Sequence, residues 1–381
     1  MMRTGLYIHI PFCVRKCNYC DFYSLGCATE KNMREYTDAL ITHIRREAPS
    51  LKDRVFDTVF IGGGTPSLLD NECIVLLFDC IRAELNISSD AEISIEANPG
   101  TVTEDMARLY HVLGINRVSI GLQSVNDREL KILGRIHDLD KFKSSYEILR
   151  KAGIENINID IMYSLPDQTL PDFIKTLDTV CDFSPDHISA YCLKIEENTH
   201  FYKIRDQLVL PSEDEQYEMY MTLCAYLERY GYSQYEISNF ARMDHLCRHN
   251  LKYWLNEDYV GFGPSAHSLI DGVRYWYSDN IGEYIDSINN GGTPEKMLEY
   301  EHSPDENEKI DEYVMLRMRL SRGVDADEFL SRFGIEFESR YKRIDKYIKS
   351  GHIVKRGNSF SFTEKGFFVS NYILSDILEF I

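Results

Sequence analysis

The chain has 381 residues, of which 44% are apolar, and its formal charge is −19 because 61 acidic side chains outnumber 42 basic ones. Such a charge disfavours a nucleic-acid partner, which needs a face lined with Lys and Arg. The N-terminus lacks a secretory signal, and no apolar run approaches the ~20 residues that span a bilayer. We therefore expect a cytoplasmic globular protein of two or three domains, in which structural disulfides are disfavoured.

Strand-like runs alternate with amphipathic helical runs from the N-terminus to about residue 193. This alternation predicts six right-handed β/α units around a parallel sheet, either doubly wound or curved into a barrel. In both arrangements the loops after the strands form the active face. The predicted strands are Gly5–Ile10, Thr58–Gly62, Glu92–Ala97, Arg117–Gly121, Asn156–Met162 and His187–Leu193. The predicted helices between them are Lys31–Ala48, Cys73–Leu85, Thr103–Leu113, Asp140–Ala152 and Leu170–Cys181.

The remainder of the chain divides into two segments. The first is less regular and rich in Tyr, and a helix is predicted after Ser212, whose capping-box partner is Glu215. The second opens at Ser303, the predicted N-cap of a helix, and continues with a helix at Glu336–Lys349 and a hairpin. Helices with a short hairpin are typical of a winged-helix module, and its mixed charges favour a packing or lid role. We expect domains at 1–195, 196–300 and 301–381.

Three cysteines follow the first predicted strand, at Cys13, Cys17 and Cys20, with the spacing C-x-x-x-C-x-x-C. In a reducing compartment such a trio predicts a metal or cluster site. A 4Fe–4S cluster normally takes four Cys ligands, so three of them leave one iron open to another group. A structural zinc site is the alternative; it needs four closed ligands, and only His9 and Cys27 are near enough in sequence to complete it.

The residues around this trio resemble the radical S-adenosylmethionine superfamily. The resemblance rests on the cysteine spacing, on Tyr19 before the last cysteine, and on GGGTP at 62–66 after the second strand. In that superfamily the amino and carboxylate groups of S-adenosylmethionine chelate the open iron. The resemblance implies an α/β fold, with a partial (β/α)6 barrel and a C-terminal helical, winged-helix-like domain. It also implies a 4Fe–4S cluster and S-adenosylmethionine as cofactors.

Further motifs resemble the oxygen-independent coproporphyrinogen oxidase-like group over essentially the whole chain: YIHIPFC, IEANP, GLQS, NIDIMYSLP and EYVMLRMRLSRGVDADEFLSRFG. Taken singly, these residues have plainer roles, since Glu96 is compatible with capping a loop, Arg135 with a surface charge and Tyr7 with the core. The resemblance implies S-adenosylmethionine contacts at Tyr7 near the sulfonium, Tyr19 beside the adenine, Gly63, Gly64 and Thr65 at the methionine, and Glu96, Gln123, Arg135 and Asp160 around the ribose and carboxylate.

Two branches of this group can be distinguished by residues of this sequence. The oxidase branch has a fourth cysteine where this chain has Phe22, and an N-terminal extension that we do not expect ahead of the first strand here. The HemW-type heme chaperones carry H-N-x-x-Y-W, which matches HNLKYW at 249–254. A neutral His nitrogen is a standard axial ligand of heme iron, so we predict that His249 ligates heme. His245 and Cys247 remain open as alternative iron ligands.

The resemblance therefore implies a heme chaperone that binds heme and transfers it to acceptor proteins. The implied partners are heme, heme-accepting proteins such as respiratory cytochromes, and an electron donor, with any membrane contact made through partners. No catalytic residue is assigned, and enzymatic activity is left open. The alternatives are an anaerobic coproporphyrinogen oxidase relying on three cysteines, another radical enzyme acting on a tetrapyrrole, and a non-catalytic zinc or scaffold protein.

Overall fold

The computed structural model describes residues 2–26, 29–294, 296–298 and 304–379. Its strands are β1 (Met2–Ile10), β2 (Phe12–Cys13), β3 (Leu25–Gly26), β4 (Arg54–Gly63), β5 (Ile87–Ala97), β6 (Arg117–Gln123), β7 (Asn156–Tyr163), β8 (His187–Cys192), β9 (Ser233–Gln234), β10 (Asn239–Ala241), β11 (Tyr259–Phe262), β12 (His267–Ile270), β13 (Val273–Tyr277), β14 (Lys296–Leu298), β15 (Val324–Asp325), β16 (Ile353–Arg356) and β17 (Ser359–Phe362).

Its helices are α1 (Glu30–Glu47), α2 (Asn71–Glu84), α3 (Glu104–Val112), α4 (Asp127–Leu133), α5 (Leu139–Lys151), α6 (Leu170–Asp182), α7 (His200–Lys203), α8 (Glu213–Arg229), α9 (Arg248–Leu255), α10 (Ile281–Asn289), α11 (Glu306–Arg317), α12 (Ala326–Phe333), α13 (Phe337–Arg340), α14 (Ile344–Lys349), α15 (Glu364–Phe368) and α16 (Ser370–Ile377). Short 3₁₀ turns lie at Ala48–Leu51, Pro66–Leu68 and Arg205–Gln207. No helix in these described ranges combines the length and apolar character needed to cross a membrane.

A 12-stranded sheet forms the centre of the fold, in the order β14-β13-β12-β11-β1-β4-β5-β6-β7-β8-β10-β9. Its parallel part confirms the predicted β/α units of the partial barrel, and β11 adds a further parallel strand beside β1. From the sequence alone, the glycines at 261 and 263 suggest a tight turn or a close backbone approach there. Because β11 and β4 flank β1, the strand that leads into the cysteine trio lies inside the sheet rather than at its edge.

The two faces of the parallel strands have different roles. Side chains of a strand alternate between the two faces of the sheet, so adjacent residues point in opposite directions. On the face covered by helices, each of five adjacent strands contributes at least one fully buried isoleucine, among them Ile8, Ile61, Ile95, Ile120 and Ile159. The neighbouring positions face the barrel interior and carry polar or aromatic side chains: Tyr7, Phe60, Glu96, Ser119 and Asp160. The sheet therefore presents its chemistry on the inner face.

Side-chain caps begin most of the outer helices. Ser212 and Glu215 form the predicted capping box at the start of α8, with reciprocal bonds of 2.8 and 3.3 Å. Thr169 and Asp172 form a second box at α6. A cap of this kind stabilises a helix by about 1 kcal/mol, and it fixes where the preceding loop ends.

The C-terminal segment confirms the winged-helix-like prediction, because α11, α12 and α14 accompany a three-stranded sheet, β15-β17-β16. Two predicted details need correction. The single helix at Glu336–Lys349 is wrong: it is broken into α13 and α14, because Tyr341 leaves helical geometry at φ −107° and ψ 59°. The proposed N-cap Ser303 lies outside the described residues, and α11 begins at Glu306 with Asp305 as its cap.

Candidate functional site

The cysteine loop is fixed by Asn18, which lies between Cys17 and Cys20. The Asn18 N–H donates to the carbonyl of Leu133 at 2.9 Å, and its side-chain amide donates to the carbonyl of Ile132 at 2.8 Å. The Asn18 carbonyl accepts from the N–H of Phe201 at 2.9 Å. The loop is therefore tied to the end of α4 and to the start of α7, so its cysteines occupy a defined place above the strand ends.

Two donors point at the thiols of this loop. The Thr65 hydroxyl lies 3.5 Å from the Sγ of Cys13, and a guanidinium nitrogen of Arg135 lies 3.5 Å from the Sγ of Cys17. Metal binds the thiolate form of cysteine, and both donors can hydrogen-bond a metal-bound sulfur. Arg135 is half-buried and is not a free surface charge, because its other amino group bonds Asn98 Oδ1 at 2.7 Å. The surroundings therefore suit ligating thiolates.

The donor set fits a cluster better than one zinc ion. Among the residues that the structure describes, no three His, Cys, Asp or Glu side chains are grouped to hold a single metal ion. A cubane binds each thiolate through a different iron, so its cysteines need not converge on one point as tetrahedral zinc ligands do. His9 is already bonded through Nε2 to the carbonyl of Tyr23 at 2.9 Å, and Cys27 lies outside the described ranges.

The glycine loop after β4 packs directly against the strand that leads to the cysteines. Gly63 has φ +113°, and a Cβ there would lie 2.5 Å from the ring of His9. A Cβ on Gly64 would lie 2.6 Å from the carbonyl oxygen of Phe12. Only glycine allows this backbone approach, which exposes peptide groups to a bound molecule. The predicted contacts Gly63, Gly64 and Thr65 are thus adjacent to the cysteine loop.

Two half-buried carboxylates, on β5 and β7 with β6 between them, face the interior. Glu96 accepts from the N–H of Gly63 at 2.9 Å. This bond is compatible with the plainer role, in which Glu96 caps a loop. Burial, with the nearby charge of Asp160, raises the pKa of Glu96 to about 7. Asp160 accepts from Ser119 at 3.0 Å and Asn158 at 2.7 Å, and burial raises its pKa as well. Such a pair favours a ligand that brings hydroxyl donors or an ammonium group.

The two aromatic residues of the prediction, Tyr7 and Tyr19, lie on β1 and in the cysteine loop. The Tyr7 hydroxyl lies 3.0 Å from His9 Nδ1. Since His9 Nε2 faces a carbonyl oxygen, which only accepts, Nε2 carries the hydrogen and Nδ1 accepts from Tyr7. Tyr19 packs beside Leu133 and the other apolar residues under the loop. Gln123 ends β6 at φ 67°, next to Gly121.

Sequence reasoning missed the roles of two residues in this site. His9 orients the Tyr7 hydroxyl, and the signal was available because residues two apart on a strand share a face. Asn98 joins two predicted contacts, since it donates to the Thr65 hydroxyl at 2.6 Å and accepts from Arg135. Its place after the third strand is visible in the sequence, but its partners are set by the neighbouring strands.

His249 lies inside the barrel, at the level of Gly5 on β1. This level is two residues nearer to the start of that strand than Tyr7. His249 is fully buried and contacts Thr58, which pairs with Gly5 in the β1–β4 register. Its ring stacks on Phe60 with centroids 5.3 Å apart. Burial, followed by the positive charge of Lys252, lowers the pKa of His249 to about 3, so the imidazole is neutral. Its predicted ligation of heme stays a prediction.

The two alternative ligands lie just before α9. Cys247 is fully buried, and its Sγ lies 3.7 Å from a Glu92 oxygen. Burial raises the pKa of Cys247 to about 12, which keeps it a neutral thiol. His245 is half-buried in the turn closed by its N–H to the carbonyl of Arg242 at 3.1 Å. Neither residue shares the stacked aromatic environment of His249.

Two family models match this chain: the radical SAM superfamily over residues 7–180 and the HemN C-terminal domain over residues 305–369. Relatives named heme chaperone HemW are similar over the full length. The protein of Buchnera aphidicola subsp. Schizaphis graminum is 36% identical over 98% of both chains, and that of Escherichia coli is 35% identical over 97% of both. The Bacillus subtilis protein is 34% identical over 98% of both chains.

A solved structure, the radical SAM enzyme coproporphyrinogen III oxidase (HemN) of Escherichia coli, has the same fold. The TM-score is 0.86 at 24% identity, over 100% of this chain and 91% of that one. The length and identity of the matches to the curated relatives decide the family. The chain belongs to the radical SAM superfamily and, within it, to the HemW family.

Proposed function

We propose that this protein is a heme chaperone that binds heme and transfers it to acceptor proteins. The observation that carries the proposal is the full-length similarity to proteins named heme chaperone HemW, at 34–36% identity. The oxidase, by contrast, shares the fold at 24% identity. Phe22, which stands where the oxidase branch has its fourth cysteine, is 71% exposed and brings no thiol to the loop. The proposal includes a cytoplasmic location and a division of the chain into three domains, with boundaries after residues 195 and 300.

The protein also carries a 4Fe–4S cluster on Cys13, Cys17 and Cys20. Thr65 and Arg135 support this assignment, because each directs a donor at one of the thiols. When bound, the cluster supplies one electron at a time to S-adenosylmethionine on its open iron. The electron comes from a separate donor protein. Acceptor proteins for heme are of the cytochrome type.

S-adenosylmethionine binds above the glycine loop. Arg135 supports the carboxylate contact, because its Nε is buried without a hydrogen-bond partner and is thus a free donor. Glu96 and Asp160 supply acceptors for the ribose hydroxyls and the ammonium group. Tyr7 would contact the sulfonium through its oxygen, whose hydrogen is directed to His9. Tyr19 and Gln123 complete the contacts, at the adenine and the ribose.

His249 is the axial ligand of the heme cargo. Its neutral imidazole is the form that ligates iron, whereas the thiol of Cys247 has a raised pKa and is a poor ligand. The test is a hemin titration of cluster-loaded protein, followed by incubation with an apo-cytochrome. Hemin binding and appearance of the holo-cytochrome spectrum are expected. Formation of protoporphyrinogen under anaerobic conditions would instead favour the oxidase alternative.

A further inference from the structure

The side-chain amide of Asn98 connects two residues that approach different cysteines of the loop. Its Nδ2 donates to the Thr65 hydroxyl at 2.6 Å, and its Oδ1 accepts from the Arg135 guanidinium at 2.7 Å. The Thr65 hydroxyl in turn lies 3.5 Å from the Sγ of Cys13. Another nitrogen of Arg135 lies 3.5 Å from the Sγ of Cys17. One amide therefore reaches, through two intermediates, two of the three proposed cluster ligands.

The direction of each bond follows from the groups that can donate. A guanidinium has only N–H groups, so the atom of Asn98 that faces Arg135 is its oxygen. The Asn98 nitrogen then faces Thr65, whose hydroxyl oxygen accepts from it. The hydroxyl hydrogen of Thr65 is left for another acceptor, and Thr65 is only 2% exposed, so bulk water does not compete for it. The Sγ of Cys13 is an acceptor within its reach.

The backbone of Asn98 is itself held in place directly after β5. Its N–H donates to the hydroxyl of Ser67 at 3.3 Å. Its carbonyl accepts from the N–H and from the hydroxyl of Thr101, at 3.1 and 2.7 Å. The hydroxyls of Ser67 and Thr101 are bonded to each other at 2.6 Å. The side chain of Asn98 thus starts from an anchored backbone, which gives its two bonds a defined direction.

We propose that Asn98 is a positioning residue for the iron–sulfur cluster: it directs the Thr65 hydroxyl at the thiolate of Cys13 and so raises the reduction potential of the cluster. Hydrogen bonds to the sulfurs are among the factors that set this potential. Reduction adds one electron, and the ligating thiolates share the added negative charge. A donor at a thiolate therefore stabilises the reduced cluster more than the oxidised one. This inference deepens the proposed cluster assignment and rests on it.

Asn98→Asp separates the two bonds of the amide. A carboxylate still accepts from Arg135, but it has no hydrogen to give to Thr65. The Thr65 hydroxyl then donates to this carboxylate and no longer to Cys13. The loss of one hydrogen bond lowers the equilibrium constant for one-electron reduction by about 10-fold, which is a shift of about 59 mV. Thr65→Val removes the same hydrogen and lowers the constant by a similar factor.

The experiment is an anaerobic redox titration of full-length, cluster-loaded protein with dithionite as the reductant. The electron paramagnetic resonance signal of the reduced cluster is followed, and S-adenosylmethionine is left out. Asn116→Asp is the matched control, because the Asn116 amide also accepts one bond, from the N–H of Ile93, and donates one, to the carbonyl of Ala91. Asn116 lies before the start of β6, at the other end of the sheet from the cysteine loop. Asn98→Asp and Thr65→Val are expected to lower the potential, and Asn116→Asp is expected to retain the wild-type value.

The double variant Thr65→Val with Asn98→Asp separates positioning from the added charge. If Asn98 acts through the hydrogen of Thr65, Asn98→Asp shifts the potential little further in the Thr65→Val protein, so the two shifts are not additive. A carboxylate that acts only through its charge shifts the potential equally in both backgrounds. Thr65→Ser keeps the hydroxyl and is expected to keep the wild-type potential.

Three results overturn the inference: equal potentials for wild type and Asn98→Asp, additive shifts in the double variant, and equal potentials for Thr65→Ser and Thr65→Val. The last comparison decides the matter even where Asn98→Asp does not hold the cluster. Circular dichroism and iron and sulfide analysis of each variant precede the titration. Wild type without about four iron and four sulfide per chain overturns the proposed cluster as well, whereas a normal cluster with unchanged potentials overturns this inference alone.

Discussion

The guanidinium of Arg135 lies 3.5 Å from the Sγ of Cys17, and the same group bonds Asn98 and the carbonyl of Gly121. This half-buried cation thereby connects the cysteine loop with the ends of two neighbouring strands. Its Nε is buried and has no hydrogen-bond partner. Because a planar fork with several fixed donors makes these contacts together, Lys cannot replace it.

Arg135→Lys therefore weakens S-adenosylmethionine binding by about 10-fold or more, since a point charge replaces several charge-assisted bonds. Isothermal titration of reconstituted protein with S-adenosylmethionine measures the effect. Arg128→Lys is the control, because Arg128 is half-exposed at the start of α4 and directs its amino group to the carbonyl of Asp167. Equal affinities for Arg135→Lys and wild type would remove Arg135 from the cofactor site.

Substitution of any of Cys13, Cys17 or Cys20 by Ser abolishes the cluster, because each thiolate holds a different iron. Wild type purified without oxygen contains about four iron and four sulfide per chain. Cys192→Ser serves as the control, since Cys192 is a half-buried free cysteine whose Sγ approaches Gln216. Iron and sulfide retained in a Cys17→Ser protein would contradict the assignment.

Gly63→Ala lowers the free energy of unfolding by about 1–3 kcal/mol, because it combines a left-handed backbone with a clash against His9. Gly231 is a matched control. It also has a positive φ, +83°, but nothing lies within 4 Å of an added Cβ, so Gly231→Ala costs only about 1 kcal/mol. Urea unfolding of both variants makes the comparison. Equal losses would show that the packing of Gly63 on His9 adds nothing.

The stability of the protein falls as the pH is lowered below neutrality, partly through His43. Burial, with Lys296 and Arg46 nearby, lowers the pKa of His43 to about 3, against about 6.5 in the unfolded chain. Between these values the unfolded state binds more protons, so the stabilisation is present above pH 6.5 and is lost toward pH 3. Glu96 has the opposite effect, because its pKa is raised to about 7 in the folded protein. Its contribution to the free energy of unfolding falls as the pH rises toward 7.

His43→Gln isolates this effect, since its amide can still meet the Tyr284 hydroxyl that lies 2.7 Å from His43 Nδ1. As the pH is lowered from 6 to 4, the free energy of unfolding falls more steeply for wild type than for His43→Gln. The difference in slope is up to about 1.4 kcal/mol per pH unit. Urea unfolding across this range gives both slopes. Parallel curves for the two proteins would contradict a neutral, buried His43.

The position of the cysteine loop and the glycine loop follows from sequence, because both come directly after predicted parallel strands. The carboxyl ends of such strands lie at one edge of the sheet, so the two loops must meet there. The strand β11 and its pairing with β1 cannot be predicted from the sequence. Gly261 and Gly263 are typical of turns, and β1 is far away in sequence. Pairing at that distance is decided by the whole fold.

The enclosure of His249 also lies beyond the sequence. HNLKYW predicts a short helix with His and Tyr four residues apart on one face, which are neighbours in a helix. What covers that face is set by β4 and β5, through Thr58 and Glu92, more than 150 residues earlier. The motif predicts a heme ligand at His249, whereas only the packed structure shows that both of its ring nitrogens are hydrogen-bonded, to Thr58 and Tyr253.

The most direct test of the account is transfer of heme from the cluster-loaded protein to an apo-cytochrome, followed by its visible spectrum. The account predicts that wild type binds hemin and converts the apo-protein to the holo-cytochrome, and that His249→Ala does not. Wild-type protein that neither binds hemin nor donates it, but converts coproporphyrinogen to protoporphyrinogen, would contradict the heme-chaperone function.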